Sequence, residues 1–382
     1  MQEAEPIGCL DIPLPESRLS GRALLLTGWA LGQDAPLSSV TALIDGRPVA
    51  TAGLGKPRPD VAQEYADLPS AAHCGFAFQA PLAGIVDGWH EVAVHIEAES
   101  GTVIELGHRR VFLDREMHLQ RQLAVRGILA CPQCRGELRE GNRELVCTGC
   151  QAEVPLVDDV PIFEGGQATF DPSAVSVNPY GGQALVLIDE FRDGLVLDCG
   201  AGYPSEHYAN VIQFELFRYP STDVAGDALR LPFADGVFDA AIPQAVLEHV
   251  VDPFKYASEL RRVLKRGGKV LVDSAFLQPL HAYPHHFFNT TQAGLRQVMQ
   301  SFEVVEEGVG AHQKPWLMLR WVLGSYLKGL ASDEERTALL DMTAREMLDV
   351  LKNRESKWPF DSVLPHAEQE LAAGVYFLGR KP

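Results

Sequence analysis

Leu195-Val196-Leu197-Asp198-Cys199-Gly200-Ala201-Gly202 decides how the C-terminal half of this chain is read. Three apolar residues make a short strand, an acid stands at its end, and two glycines follow. Glycines at the carboxyl end of a strand let the backbone turn sharply and approach a ligand with no Cβ in the way. Alone, Asp-x-Gly-x-Gly also describes an ordinary turn, so its meaning rests on the sequence around it.

Downstream, Asn210 to Glu215 reads as a second strand ending in an acid, seventeen residues after Asp198. An acid there accepts hydrogen bonds from ribose hydroxyls in nucleoside-binding sheets. Asp223 to Ala228 offers a third strand, with Asp227 placed to meet an adenine amino group. Leu231-Pro232-Phe233-Ala234-Asp235-Gly236-Val237-Phe238-Asp239 leads into a fourth strand ending at Gln244. Leu247-Glu248-His249-Val250 follows, then an amphipathic helix through Leu264, Arg266-Gly267-Gly268, and a fifth strand, Lys269 to Asp273. Phe302 to Val309 and Gly374 to Gly379 are expected as sixth and seventh strands of a parallel sheet with crossover helices, the seventh alone antiparallel, between the fifth and the sixth.

The series Leu-Asp-x-Gly-x-Gly, Gly-Asp-Ala-x-x-Leu-Pro-Phe, Phe-Asp, Leu-Glu-His-Val and Arg-Val-Leu-Lys-x-Gly-Gly occurs in this order between Val196 and Asp273. It closely resembles class I S-adenosylmethionine-dependent methyltransferases of the type 11 group, which includes ubiquinone- and sterol-type enzymes. The resemblance implies an α/β Rossmann-like domain with a seven-stranded sheet over 169–382. It also implies that Asp198, Gly200 and Gly202 cradle the methionine end of S-adenosylmethionine. Glu215 then binds ribose, Asp227 and Ala228 flank adenine, and Gln244 lines the pocket. One departure stands out. The segments from Gly202 to Asn210 and from Glu215 to Asp223 are too short for crossover helices. A similarly shortened subgroup is linked to bacterial polysaccharide synthesis. One face of the cofactor pocket is therefore expected to lean on another part of the chain, the segment 119–168 or the residues up to Asp193.

Upstream, Cys131-Pro132-Gln133-Cys134 and Cys147-Thr148-Gly149-Cys150 are separated by twelve residues. Each pair sits on a tight turn that aims two thiolates at one ion, and Cys131, Cys134, Cys147 and Cys150 complete a closed tetrahedron suited to structural Zn²⁺. The run from Ile128 to Phe163 resembles the zinc-ribbon family that activates certain RNA and protein methyltransferases, which sets 119–168 apart as a zinc ribbon. Before it, Ala23–Ala30, Val40–Asp45 and Glu91–Glu97 are short apolar or alternating runs punctuated by Asp45-Gly46, Asp87-Gly88 and Ser100-Gly101. Such spacing predicts an antiparallel β-sandwich over 1–118. Through Gly28-Trp29, Ile44-Asp45-Gly46-Arg47, Arg58-Pro59-Asp60-Val61 and Gly75-Phe76 this segment resembles immunoglobulin-like accessory domains of bacterial polysaccharide-pathway enzymes. The chain is thus expected to be multidomain, in keeping with 382 residues.

A formal net charge of −18 with no long Lys/Arg run argues against a nucleic-acid surface. Apolar content of 46% with 22% charged residues fits a soluble globular protein. Met1 to Glu16 lacks the basic start and apolar region of a secretory signal. Two Cys-x-x-Cys pairs among seven cysteines point to a reducing compartment, hence the cytoplasm.

Methyl transfer to a hydroxyl needs a base, and histidine suits this because it titrates near neutrality. His249 and the cluster His281, Tyr283, His285 and His286 are the candidates, with His249, His285 and His286 the catalytic choices. A metal site among these histidines is disfavoured, because no carboxylate lies at ligand spacing among them. Residues 314–370 read as a helical insertion. Trp316 to Leu330 is its most apolar helix, with Arg320, Gly324 and Lys328 as a polar stripe, and one further helix starts after Ser332. It can lid the acceptor site, form a dimer interface, rest on a membrane surface or pack on its own domain.

The sequence therefore predicts an O-methyltransferase acting on a sugar or glycan intermediate, with the β domain recruiting substrate or a glycosyltransferase partner. The alternatives are a non-catalytic scaffold that binds the cofactor, and an RNA or protein methyltransferase with a fused zinc-ribbon activator.

Overall fold

The structure, a computed structural model, describes residues 6–32, 36–65, 67–172, 175–176, 179–200, 202–282, 284–352 and 362–371. It divides into two compact units, one of Met1–Val246 with Phe254–Asp273, the other of Leu247–Pro253 with Ser274–Pro382.

The first unit begins with the strands β1 (Ile7–Ile12), β2 (Arg18–Leu19), β3 (Ala23–Leu31), β4 (Leu37–Ile44), β5 (Arg47–Ala52), β6 (Gly75–Pro81), β7 (Gly88–Ala98) and β8 (Val103–Leu113), with a short helix α1 (Pro59–Glu64) before β6. They form a three-stranded sheet, β1-β3-β6, and a five-stranded one, β2-β8-β7-β4-β5. Alternation decides which side chains meet between them. Val92, Val94 and Ile96 from one sheet pack with Leu24, Leu26, Phe76 and Phe78 from the other. The expected sandwich is present. Its Asp45-Gly46 turn has both residues at positive φ, the geometry of a two-residue hairpin between β4 and β5.

A helix that sequence reading missed, α2 (Arg115–Ile128), leads out of the sandwich. The Asp114 side chain accepts the Met117 N–H at 2.8 Å and caps it. The boundary expected between residues 118 and 119 therefore falls inside a helix. Next come β9 (Leu138–Glu140), β10 (Glu144–Cys147), β11 (Glu153–Val157) and β12 (Val160–Pro161), an antiparallel four-stranded sheet.

After α3 (Gly182–Glu190) the third sheet is built from β13 (Val196–Cys199), β14 (Val211–Glu215), β15 (Val224–Ala225), β16 (Phe238–Ala241) and, beyond α4 (Pro253–Val263), β17 (Leu264–Val270). All its pairs are parallel, in the order β15-β14-β13-β16-β17. This is the order of a doubly wound sheet, which reverses direction of growth between β13 and β16. Residues of β13 and β14 are buried throughout, as a sheet covered on both faces requires. The sheet has five strands among the described residues, not seven. Residues 302–309, the expected sixth, form no strand: Val304, Val305 and Val309 are exposed, and Glu307 is drawn to Arg296 on the preceding helix. Alternation alone supplies no neighbouring edge to pair with. The expected seventh lies outside the described residues.

The two short crossings carry no helix, and the sandwich takes over their covering role. Tyr203, from the first crossing, is buried against Ile12 and Leu25. The Ser20 N–H donates to His207 Nδ1 at 2.8 Å. From α2, Arg121 meets Asp223 at 3.0 Å, both side chains having no exposed surface. The expected cover was the ribbon or residues up to Asp193. The sandwich and α2 supply most of it, and the ribbon adds a parallel bridge from Ile162 to Ala225.

The second unit contains α5 (Gln292–Val298), α6 (Pro315–Gly329), α7 (Asp333–Asp341), α8 (Ala344–Lys352) and α9 (Pro365–Glu370). The single helix expected after Ser332 is two. Thr343 Oγ1 accepts the Glu346 N–H while the Glu346 carboxylate accepts the Thr343 N–H, a reciprocal cap that starts α8 afresh. Among the described residues, α6 packs on its neighbours at its C-terminal end, around Leu330 and Leu339, while Trp316, Leu319 and Trp321 are exposed. Among the described residues no helix is long and apolar enough to cross a membrane.

Candidate cofactor site and histidine cluster

The cofactor candidates in the first unit converge on the carboxyl ends of the parallel strands. Asp198 is 1% exposed and accepts a 2.5 Å hydrogen bond from the Tyr180 hydroxyl. Glu215, at the end of β14, accepts the Gly202 N–H at 2.5 Å, and so ties the glycine loop to the neighbouring strand. Its carboxyl is pushed up to about 8 by burial, opposed by backbone N–H groups of Gly202 and Leu216 and reinforced by the charge of Asp198. Asp227 accepts the Leu229 N–H at 2.9 Å, which caps the short turn that begins at Ala228. Gln244 pairs with the strand end beyond β17, its amide donating to Asp273 at 3.2 Å.

The glycines are also required by their protein neighbours. Gly200 and Gly202 have φ of +98° and +73°, so an L side chain is strained at either. A Cβ on Gly200 lies 2.7 Å from Val246, and one on Gly202 lies 2.3 Å from the Ser176 carbonyl. The glycines let Val246 and the 175–176 segment close around the loop.

Sequence reading missed Tyr180, Ser176, Tyr256 and Ala245. Tyr256, fully buried on α4, donates to the Cys199 carbonyl at 3.2 Å. Ala245 sits at φ +53°, an uncommon conformation for alanine that turns the chain between Gln244 and Val246. Only the helical spacing of Tyr256 carries any signal of this, because the partners of the others are distant in sequence.

In the ribbon the four cysteines come together. Cys131 and Cys150 Sγ are 3.6 Å apart, Cys134 and Cys147 Sγ 3.3 Å, and none is in a disulfide. A tetrahedral ion with Zn–S bonds of about 2.3 Å sets these edges near about 3.8 Å, so the donor set fits zinc. The Cys147 thiol is pushed down to about 6, first by the Cys150 backbone N–H. All four positions are filled by sulfur, which leaves no place for a substrate.

The histidines lie in the second unit. His249 Nδ1 donates to the His285 carbonyl at 2.7 Å, and His281 Nδ1 to the Pro279 carbonyl at 3.1 Å. His286 accepts the His281 N–H on Nδ1, so its Nε2 carries the proton and donates to Asn289 at 3.1 Å. Ring centroids of His249, His281 and His286 are 4.2–5.7 Å apart. Tyr283 lies outside the described residues. Sequence spacing offered these histidines no carboxylate, yet the fold brings one: Glu248 is 1% exposed and within reach of His249 and His281. Burial raises its carboxyl above the usual range, opposed by backbone N–H groups and the two imidazoles.

Residues 197–272 match the family model for the methyltransferase domain. A demethylmenaquinone methyltransferase from Paenarthrobacter aurescens is 37% identical over 92 residues, 20% of this chain and 36% of that protein. One from Thermobifida fusca is 37% identical over 115 residues, 24% of this chain and 49% of that protein. The chain thus spans between a third and a half of these curated relatives. Among solved structures, phosphoethanolamine N-methyltransferase 2 of Haemonchus contortus aligns with 44% of this chain and 47% of its own, at 15% identity and a TM-score of 0.27. Fibronectin(III)-like modules from Clostridium thermocellum align with 29% of this chain and 47% of theirs, at 19% identity and a TM-score of 0.19. Residues 197–272 are thus similar to the methyltransferase domain.

Proposed function

We propose that the chain is an S-adenosylmethionine-dependent methyltransferase. One observation carries this reading: two buried carboxylates, Asp198 and Glu215, stand on the adjacent strands β13 and β14 beside the switch point, and the Gly202 N–H ties the glycine loop to Glu215, within the segment that matches the methyltransferase model. When bound, S-adenosylmethionine supplies a methyl group on a sulfonium, already activated toward a nucleophile. The residues present fit such a group. Glu215 accepts from ribose hydroxyls, Asp227 and Ala228 flank the adenine, and Gln244 lines the pocket. Asp198, oriented by Tyr180, meets the amino-acid end.

A hydroxyl acceptor needs a base. Of His249, His285 and His286, the last has both ring nitrogens engaged within the cluster. His249 offers Nε2 and His285 its ring. The acceptor is proposed as a sugar or glycan hydroxyl of cell-surface polysaccharide synthesis, a reading supported by the shortened crossings and the attached sandwich. A glycosyltransferase is the partner that chemistry suggests.

Calorimetric titration of the full chain with S-adenosylmethionine tests the first step. Binding is expected, with loss in Asp198→Ala, and absence of binding at millimolar cofactor rules the proposal out. Labelled methyl transfer to nucleotide sugars, oligosaccharides and a prenylated hydroquinone then separates a glycan acceptor from the one named for the curated relatives.

A further inference from the structure

Two imidazoles and a buried carboxylate bring ligand atoms close together in the second unit. In His249 and His281 the Nδ1 proton is given to a backbone carbonyl, which orients the ring and makes Nε2 the nitrogen that serves as acceptor in the neutral form. Metal-ligating histidines are held in this way, with the far nitrogen donating to a carbonyl or carboxylate so that ring and tautomer are set in advance. Glu248 supplies the third group. Its Oε2 is buried and has no hydrogen-bond partner, an omission that native proteins rarely tolerate without a ligand, water or ion. One ligand atom from each of Glu248, His249 and His281 lies within 4.8 Å of the others. Bonds of about 2.0 Å in a tetrahedron need roughly 3.3 Å between ligands, so small side-chain rotations close the set.

We propose that Glu248, His249 and His281 bind a divalent metal ion of the Zn²⁺ type, distinct from any ion in the four-thiolate ribbon. Two nitrogens with one carboxylate suit a borderline ion, whereas Ca²⁺ and Mg²⁺ call for oxygen sets. Three protein ligands leave at least one position open, so the ion takes an exogenous oxygen ligand such as water, a hydroxyl or a carboxylate. His286 is not a ligand, because its Nδ1 accepts the His281 N–H and its Nε2 donates to Asn289. It positions the loop instead. The assignment engages His249 Nε2 and leaves the His285 ring for proton transfer. It concerns residues of one unit and stands whether or not the chain transfers methyl groups.

The test uses the full chain, stripped of metal, re-equilibrated with excess Zn²⁺ and desalted, with metal counted by elemental analysis. Two ions per chain are expected in the wild type, and one in either His281→Ala or Glu248→Gln. His285→Ala keeps both, because the carbonyl that orients His249 belongs to the backbone. Loading the second site with Co²⁺ should give ligand-field absorption without the thiolate charge-transfer band of the ribbon. Acetohydroxamate should shift that absorption through the open position. A single ion per wild-type chain overturns the proposal. So does a second ion that survives both His281→Ala and Glu248→Gln, or its loss in His285→Ala alone. Circular dichroism of each variant separates loss of a ligand from loss of fold.

Discussion

Asp223 and Glu248 are both buried carboxylates, with 0% and 1% of their surface exposed, yet they are equipped in opposite ways. Asp223 has a complete set of partners: the Arg121 guanidinium at 3.0 Å, the Gln122 amide at 3.1 Å and the Gln213 N–H at 2.9 Å. Arg121 in turn donates to Ser20 Oγ at 2.8 Å. Glu248 has an orphaned oxygen and two imidazoles, those of His249 and His281, each with a ligand atom within 4.8 Å. A saturated buried charge joins parts of a fold, whereas an unsaturated one, surrounded by oriented lone pairs, is prepared for something that is not protein. Perturbing each in turn breaks or sharpens that distinction.

Arg121→Ala should have the largest effect. It leaves Asp223 charged, buried and unpaired at the junction of sandwich, helix and parallel sheet. Such a loss costs about 3–5 kcal/mol, read as a lowered urea midpoint for the first unit. Adding Asp223→Asn should recover part of the loss, because the buried charge is then gone. A destabilisation below about 1 kcal/mol in Arg121→Ala, the level of an exposed pair, would show that this junction is not a suture. Ser20→Ala is the milder version. It removes one acceptor from Arg121 but keeps the Ser20 N–H to His207, so about 1–3 kcal/mol is expected. A silent Ser20→Ala would mean that water replaces the hydroxyl.

This junction also explains what the sequence could and could not disclose. Asp198, Glu215 and Asp227 were legible because a parallel sheet fixes the acid at the end of each strand, a local pattern of apolar run plus carboxylate. The four cysteines were legible because ligand spacing within a turn is local too. The missing crossover helices were also readable as short gaps after Gly202 and Glu215. What filled the gaps was not readable: Arg121 and Asp223 lie 102 positions apart, and neither residue type announces the other. Helix α2 was overlooked for a related reason, since its buried face includes Arg121 and Gln122, polar residues that break the apolar period. Glu248 beside His281 is the same case, brought together by a loop and not by spacing. The expected sixth strand failed in the reverse direction, its alternation being real while no sheet edge is offered to it.

Glu215 stands between the two extremes, being held by two N–H groups but facing no cation among the described residues. With its carboxyl pushed up to about 8, the folded protein holds a proton there that the unfolded chain releases near the usual carboxylate value. Its contribution to stability in the absence of ligand is therefore present in acid and fades as pH rises through the window up to about 8. Ribose hydroxyls need the ionised acceptor, so cofactor affinity should run the other way. It should rise with pH by at most about tenfold per unit below that value and level off above it. Titrations from pH 6 to about 9 on wild type and Glu215→Gln check both slopes. The variant should be flat in affinity and weaker throughout, and a wild type that is equally flat would remove Glu215 from the ribose role.

The smallest effect is expected where burial alone would suggest a large one. In Glu248→Gln a buried carboxylate is replaced by its neutral isostere. Burial raises the Glu248 carboxyl more than backbone N–H groups and the imidazoles of His249 and His281 lower it, so the native side chain bears a net desolvation of its charged form. The amide removes that burden and retains an oxygen for backbone donors. Metal-free Glu248→Gln should therefore unfold within about 1 kcal/mol of wild type, on either side, in contrast to the loss of several kcal/mol in Arg121→Ala. In zinc the order should change. Wild type gains stability from an ion that binds only the folded state, the gain growing with the logarithm of free metal over its dissociation constant. The variant gains only what the ribbon contributes. Unfolding curves of both proteins with and without zinc form a cycle in which the difference belongs to the Glu248 site. If Glu248→Gln is as destabilising without metal as Arg121→Ala, Glu248 is a second suture, and the contrast between the two carboxylates disappears.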